Sequence, residues 1–155
     1  MHNPDSNPIE PQPGLSLGHQ AIVLYDGICG LCNSLNQFIL KRDTHDRFRF
    51  ASLQSKFAQD LLKRHGADAS DLDTVYVAIN YGQPNEHLQA RSEAILRVLT
   101  ELGGIWKCAR FARALPKAVR DGIYNVVARN RYRVFGKHDS CLLPDPQHRG
   151  KFLDV

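Results

Sequence analysis

The chain has 155 residues, 43% of them hydrophobic and 23% charged, with a formal net charge of +4. That length suits one domain, and that balance excludes a wholly disordered chain. No apolar run approaches the ~18 residues that a membrane-spanning helix needs. Residues 1–19 hold four of the eight prolines and lack periodicity. They read as a flexible Pro-rich lead-in, with too little apolar surface to offset the entropy of ordering and no apolar core of a secretory signal. The remaining residues, 20–155, are expected to form the domain, with C-terminal helices from about residue 105.

Ala21-Ile22-Val23-Leu24-Tyr25 is a continuous apolar run stopped by Asp26-Gly27, as expected of a strand buried on both faces. Leu31, Leu35, Phe38 and Ile39 follow at helical spacing. Phe48 to Ala51 reads as a second strand, and Phe57, Ala58, Leu61 and Leu62 as a helix ended by a left-handed Gly66. Thr74 to Ile79 is β-branched, aromatic and apolar, hence a third strand. After the turn residues Asn80 to Asn85, His87 to Ala90 can return as its antiparallel partner. Ser92 stands where a helix N-cap belongs, and Ile95, Leu96, Val98, Leu99 and Leu102 supply the buried face. Gly103-Gly104 ends that helix. The order is β-α-β-α-β-β-α, an α/β pattern. Helical segments near Ile105–Leu115 and after Pro116 extend it.

Cys29-Gly30-Leu31-Cys32 begins just after the first strand and opens a helix. Unpaired N–H groups and the helix dipole favour negative charge there, so a thiol ionises more easily. Cys29 would be the exposed nucleophile and Cys32, one turn inside, would resolve the mixed disulfide. Two other readings share the spacing. The pair could be half of a zinc site completed by Cys108, or by His138 and Cys141, although zinc knuckles rarely lie between a buried strand and an amphipathic helix. It could also be two inert, buried thiols. The low cysteine count excludes a disulfide-stapled scaffold, and in an unsecreted, cytoplasmic chain the spacing points to redox or metal chemistry. The redox reading, which needs no metal or organic cofactor, is the expected one.

Tyr25-Asp26-Gly27-Ile28-Cys29-Gly30-Leu31-Cys32-Asn33 resembles the Asp-x-x-Cys-x-x-Cys signature of the DCC family of predicted thiol-disulfide oxidoreductases. The likeness continues through residues 48–54, 91–96 and 115–132 to Gly136 and Cys141. It implies a thioredoxin-like fold and an active site of Asp26, Cys29 and Cys32. Asp26 would accept a cysteine proton or gate thiolate formation through a water; as a plain turn residue it would instead accept N–H groups from Ile28 or Cys29. Its charge would also raise the thiol pKa, against the helix dipole. One departure concerns substrate binding. Thioredoxin-like enzymes usually carry a cis-proline just before the third strand, whereas Asp71-Leu72-Asp73-Thr74 precedes Val75 here.

The expected partner is a disulfide or thiol substrate, with glutathione or a partner thiol protein supplying electrons. Ser92, with Arg91 beside it, stands where glutathione-binding relatives of the fold hold a carboxylate, although an N-cap explains the same serine. Cys108, among Ile105, Trp106, Phe111 and Ala112, reads as a buried small hydrophobe. Residues 107–137 hold nine of the twenty Lys and Arg (Lys107, Arg110, Arg113, Lys117, Arg120, Arg129, Arg131, Arg133 and Lys137) against one acid, Asp121. A non-catalytic module docking these cations on nucleic acid, an acidic protein or an anionic membrane is the rival function. The spacing of 107, 110, 113, 117 and 120 favours the solvated face of a helix packed on the sheet, and nucleic acid is not expected as a partner.

Overall fold

The computed structural model describes residues 21–68, 70, 71, 74–136 and 146–153. The lead-in, Lys137, His138 and Cys141 lie outside them. Strand β1 (Ala21–Tyr25) is followed by helix α1 (Gly30–Arg42), β2 (Phe48–Ser52), α2 (Lys56–Arg64), β3 (Tyr76–Ile79), β4 (His87–Ala90) and α3 (Arg91–Leu102). A 3₁₀ segment (Gly104–Ala114) then leads to α4 (Lys117–Phe135), and a short 3₁₀ turn covers Pro146–Lys151. The sheet order is β2-β1-β3-β4, with β1 parallel to β2 and antiparallel to β3, and β3 antiparallel to β4. This is a thioredoxin-like α/β fold with a C-terminal helical extension.

Strand alternation divides β1 between two cores. Ala21, Val23 and Tyr25 face Ile39 of α1, Ala94 and Val98 of α3, and Phe152. Ile22 and Leu24 face Ala58, Leu61 and Leu62 of α2. The strand is therefore covered on both sides, as its unbroken apolar run requires. It also ends in the middle of the sheet, so the turn that follows it lies next to helices from both ends of the chain.

Three local expectations are corrected. Ser92 lies inside α3 and the N-cap is Ala90; the Ser92 hydroxyl instead donates to Asp121 of α4 at 2.5 Å. Cys108 is exposed, because the 3₁₀ segment that carries it buries no residue. Lys107, Arg110, Arg113 and Lys117 are exposed, as the solvated reading expects, but they do not lie on one helix. The chain changes from 3₁₀ to α geometry between Arg113 and Lys117, and Arg131 turns inward and is buried. The outer face of α4 is instead partly aliphatic, with Val126 and Val134 61% and 69% exposed.

The chain end adds an unexpected packing element. Phe152 bridges to Phe50 in parallel and stacks on its ring at 5.1 Å, and Leu153 N–H donates to the Phe50 carbonyl at 2.8 Å.

Candidate active site

The turn Asp26-Gly27-Ile28-Cys29 links β1 to α1. It is closed by Cys29 N–H donating to the Asp26 carbonyl at 3.2 Å and Ile28 N–H donating to Asp26 Oδ1 at 3.2 Å. This turn puts Cys29 at the N-cap of α1, where its Sγ accepts the Cys32 N–H at 3.4 Å. A sulfur in that place takes one of the helix's unpaired donors, and the bond strengthens when the sulfur is negative.

The Cys29 thiol is lowered from 9.0 to about 6. The hydrogen bond from the Cys32 thiol contributes most; burial opposes it, and the Cys32 N–H and the nearby Arg131 charge assist. Cys32 is pushed in the opposite direction, chiefly by that same hydrogen bond and then by burial. One proton is thus shared unequally: Cys29 is the thiolate and Cys32 the thiol.

The expectation of an exposed Cys29 is not met. It is fully buried, because the C-terminal end of α4 lies across the start of α1. Gly30 N–H donates to the Gly136 carbonyl at 3.2 Å, so a terminal carbonyl of α4 pairs with a free amide of α1. The approach is so close that a Cβ on Gly30 would overlap the Phe135 carbonyl oxygen. Cys32 retains a little exposure and borders an apolar cavity between α1, α3 and α4.

Asp26 is buried and ties this assembly together. Its Oδ2 accepts from Arg131 Nη2 at 3.1 Å and from the Tyr132 hydroxyl, and its Oδ1 accepts from Gln54 Nε2 at 2.7 Å. Burial alone would raise the Asp26 carboxyl, but the bonds from Tyr132, Gln54, Ile28 and Arg131 together hold it below its ordinary 3.8. In the sequence Arg131 reads as one cation of a basic segment, and neither Tyr132 nor Gln54 stands out as a partner of Asp26. The signal for its placement is helical phase: Arg131 follows Tyr124 and Ala128 at steps of four and three, on the inward face of α4.

Arg91 and Ser92 are not brought to the cavity that Cys32 borders. Arg91 is exposed beside a separate polar cavity with Asp71, Thr74 and Arg129. The Ser92 hydroxyl already faces a carboxylate, an unsuitable partner for a second one. Among the described residues no group of three or more His, Cys, Asp and Glu is placed to hold a metal ion. Cys108 lies in the exposed 3₁₀ segment, and His138 and Cys141 are outside the described residues. No helix among the described residues is long and apolar enough to cross a membrane.

Known proteins are similar to this chain in sequence. The chain is 41% identical over 132 residues to the uncharacterised protein YuxK of Bacillus subtilis, covering 85% of this chain and 93% of that one. It is 36% identical over 123 residues to a chloroplastic DCC family protein of Arabidopsis thaliana, covering 79% and 69% respectively. No solved structure matches it. The family model for DCC1-like thiol-disulfide oxidoreductases matches residues 23–137, a span that contains Asp26, both cysteines of the turn, and the Arg131 and Tyr132 that close over them. The chain belongs to the DCC1-like thiol-disulfide oxidoreductase family.

Proposed function

We propose that this protein is an enzyme of thiol-disulfide exchange that cycles between a Cys29, Cys32 dithiol and a Cys29–Cys32 disulfide, with no metal or organic cofactor. The observation that carries this reading is the Cys29 sulfur at the head of α1. There it accepts the Cys32 N–H, shares the Cys32 proton and lies near the Arg131 charge. Such surroundings stabilise a thiolate, the species that makes and breaks disulfides. A reducing compartment such as the cytoplasm suits a resting dithiol.

Asp26 acts here as a positioning residue. A carboxyl held below its ordinary range is a weak proton acceptor. Its bonds instead keep the Arg131 guanidinium beside the cysteines and hold the end of α4 over them.

Redox titration with thiol trapping and intact-mass readout tests the proposal. The expected result is one reversible oxidation that removes two hydrogens and blocks Cys29 and Cys32 together. A main product joining Cys29 to Cys108 or Cys141 would overturn it.

A further inference from the structure

The cavity beside Cys32 has a volume of about 260 Å³. Aliphatic side chains from all three surrounding helices wall it, among them Leu31, Leu35, Ile95 and Val127. Two polar side chains also reach it, and both are engaged. Arg131 is bound to Asp26, and the Tyr124 hydroxyl accepts the Val75 N–H at 2.8 Å. The Val75 carbonyl in turn accepts the Arg91 N–H at 3.0 Å. Both main-chain groups of the residue that borders the cavity just before β3 are therefore occupied, and a peptide has no backbone there to pair with.

We propose that this cavity is the substrate site of the exchange reaction and that it takes a small aliphatic dithiol, which meets the cysteine pair at the Cys32 sulfur. The inference rests on the reading of Cys29 and Cys32 as a redox pair. A cavity of this size and lining accepts a short hydrocarbon chain and its sulfurs. Glutathione carries two carboxylates and an ammonium group, and burying these against hydrocarbon without partners is costly. Cys32 lies on the cavity wall while Cys29 lies behind it, so the oxidised pair presents Cys32 to whatever enters.

The chemistry balances in two steps. A substrate thiol, having lost its proton to solvent, attacks Cys32 Sγ as a thiolate. The Cys29–Cys32 bond breaks and its electron pair leaves on Cys29 Sγ, the better leaving group because it is the more stable thiolate. The second substrate thiol then attacks the substrate sulfur attached to Cys32, closing the substrate's own disulfide. Cys32 leaves and takes up that thiol's proton. Two electrons pass from the dithiol to the cysteine pair, one proton goes to solvent and one ends on Cys32.

The test uses the oxidised full chain and measures its rate of reduction by butanedithiol, dithiothreitol and glutathione, each normalised to its rate with a small model disulfide. Butanedithiol and dithiothreitol differ only by two hydroxyls, so the comparison isolates the polarity of the site. The expected result is a normalised advantage for butanedithiol of roughly tenfold or more, the scale on which an apolar pocket discriminates. The advantage should be lost in Ala128→Phe, which fills the cavity, and in Ile95→Phe, which fills it from α3 should the first variant fail to fold. Trapping with butanethiol should place the adduct on Cys32. Equal normalised rates, an advantage that survives the filled cavity, or an adduct on Cys29 would each overturn the substrate assignment while leaving the redox pair intact. Failure of the wild-type chain to form a Cys29–Cys32 disulfide, read separately by intact mass, would remove both.

Discussion

Arg131 and Asp26, 105 positions apart in the chain, form a buried ion pair at 3.1 Å that fastens the last turns of α4 to the turn carrying Cys29. The Asp26 carboxylate accepts hydrogen bonds from Ile28, Gln54, Arg131 and Tyr132, so its cost of burial is well compensated. Removing only one partner leaves an uncompensated charge in the interior. Arg131→Met should therefore lower stability by about 3–5 kcal/mol in urea denaturation. The double variant Asp26→Asn with Arg131→Met should recover part of that loss. Equal losses in the single and double variants would show that packing, not charge pairing, sets the cost.

The same carboxylate predicts an acid-side effect. Its folded-state pKa lies below the ordinary 3.8, so its stabilising contribution is present above that ordinary value. The contribution is lost as pH falls through the folded value. Asp26→Asn should be less stable at neutral pH and should flatten the decline of stability with acid. A decline in acid as steep in the variant as in the wild type would assign it to other groups.

How much of this could be read beforehand differs between fold and site. The unbroken apolar run of β1 and the strand–turn–helix setting of Cys29 are local features, and local patterning places both correctly. Arg131 is different. Helical phase marks its inward face, but nothing local names its partner; that depends on where Asp26 lies in space. The same local logic makes Ser92 a cap. Asp121, 29 positions away, competes for its hydroxyl and wins. Phe152 shows the limit from the other side: a lone aromatic in an aperiodic tail gives no signal, yet it packs on Phe50 and Tyr25 in the main core.

That packing makes the chain end a structural element. Phe152→Ala removes a ring stacked on Phe50 and set edge-on to Tyr25 at 6.2 Å. Truncating a buried phenylalanine typically costs about 3–5 kcal/mol, and a loss in that range is expected here. A change below about 1 kcal/mol in thermal or urea denaturation would mean that the tail is not part of the folded core.

Gly30 tests the closure of α4 over Cys29 by steric means alone. Any side chain at Gly30 overlaps the Phe135 carbonyl, so Gly30→Ala must push the end of α4 away. The expected cost is about 1–3 kcal/mol, typical of overpacking at a tight contact. Alkylation of Cys29 in the folded state should accelerate at the same time. Loss of stability without faster alkylation would indicate that something other than α4 shields this sulfur.

The thiolate itself sets the last prediction. The folded-state value for Cys29 is about 6 against an ordinary 9.0, and the Cys32 thiol is the main cause, followed in the same direction by the Cys32 N–H and the Arg131 charge. A lowered value stabilises the folded, reduced protein fully above the ordinary value, and the effect disappears as pH falls through about 6. At neutral pH the contribution is on the order of 1 kcal/mol. The oxidised protein has no Cys29 thiol to titrate. The stability difference between reduced and oxidised forms should therefore shift in favour of the reduced form as pH rises between about 6 and 9. Thiolate absorbance in the folded protein should show its inflection near 6, and Cys32→Ala, which removes the main hydrogen bond, should move that inflection upward. Arg131→Met should move it the same way by a smaller amount. An inflection that stays near 6 in Cys32→Ala would transfer control of the thiolate from the neighbouring thiol to the amide of α1 and the Arg131 charge.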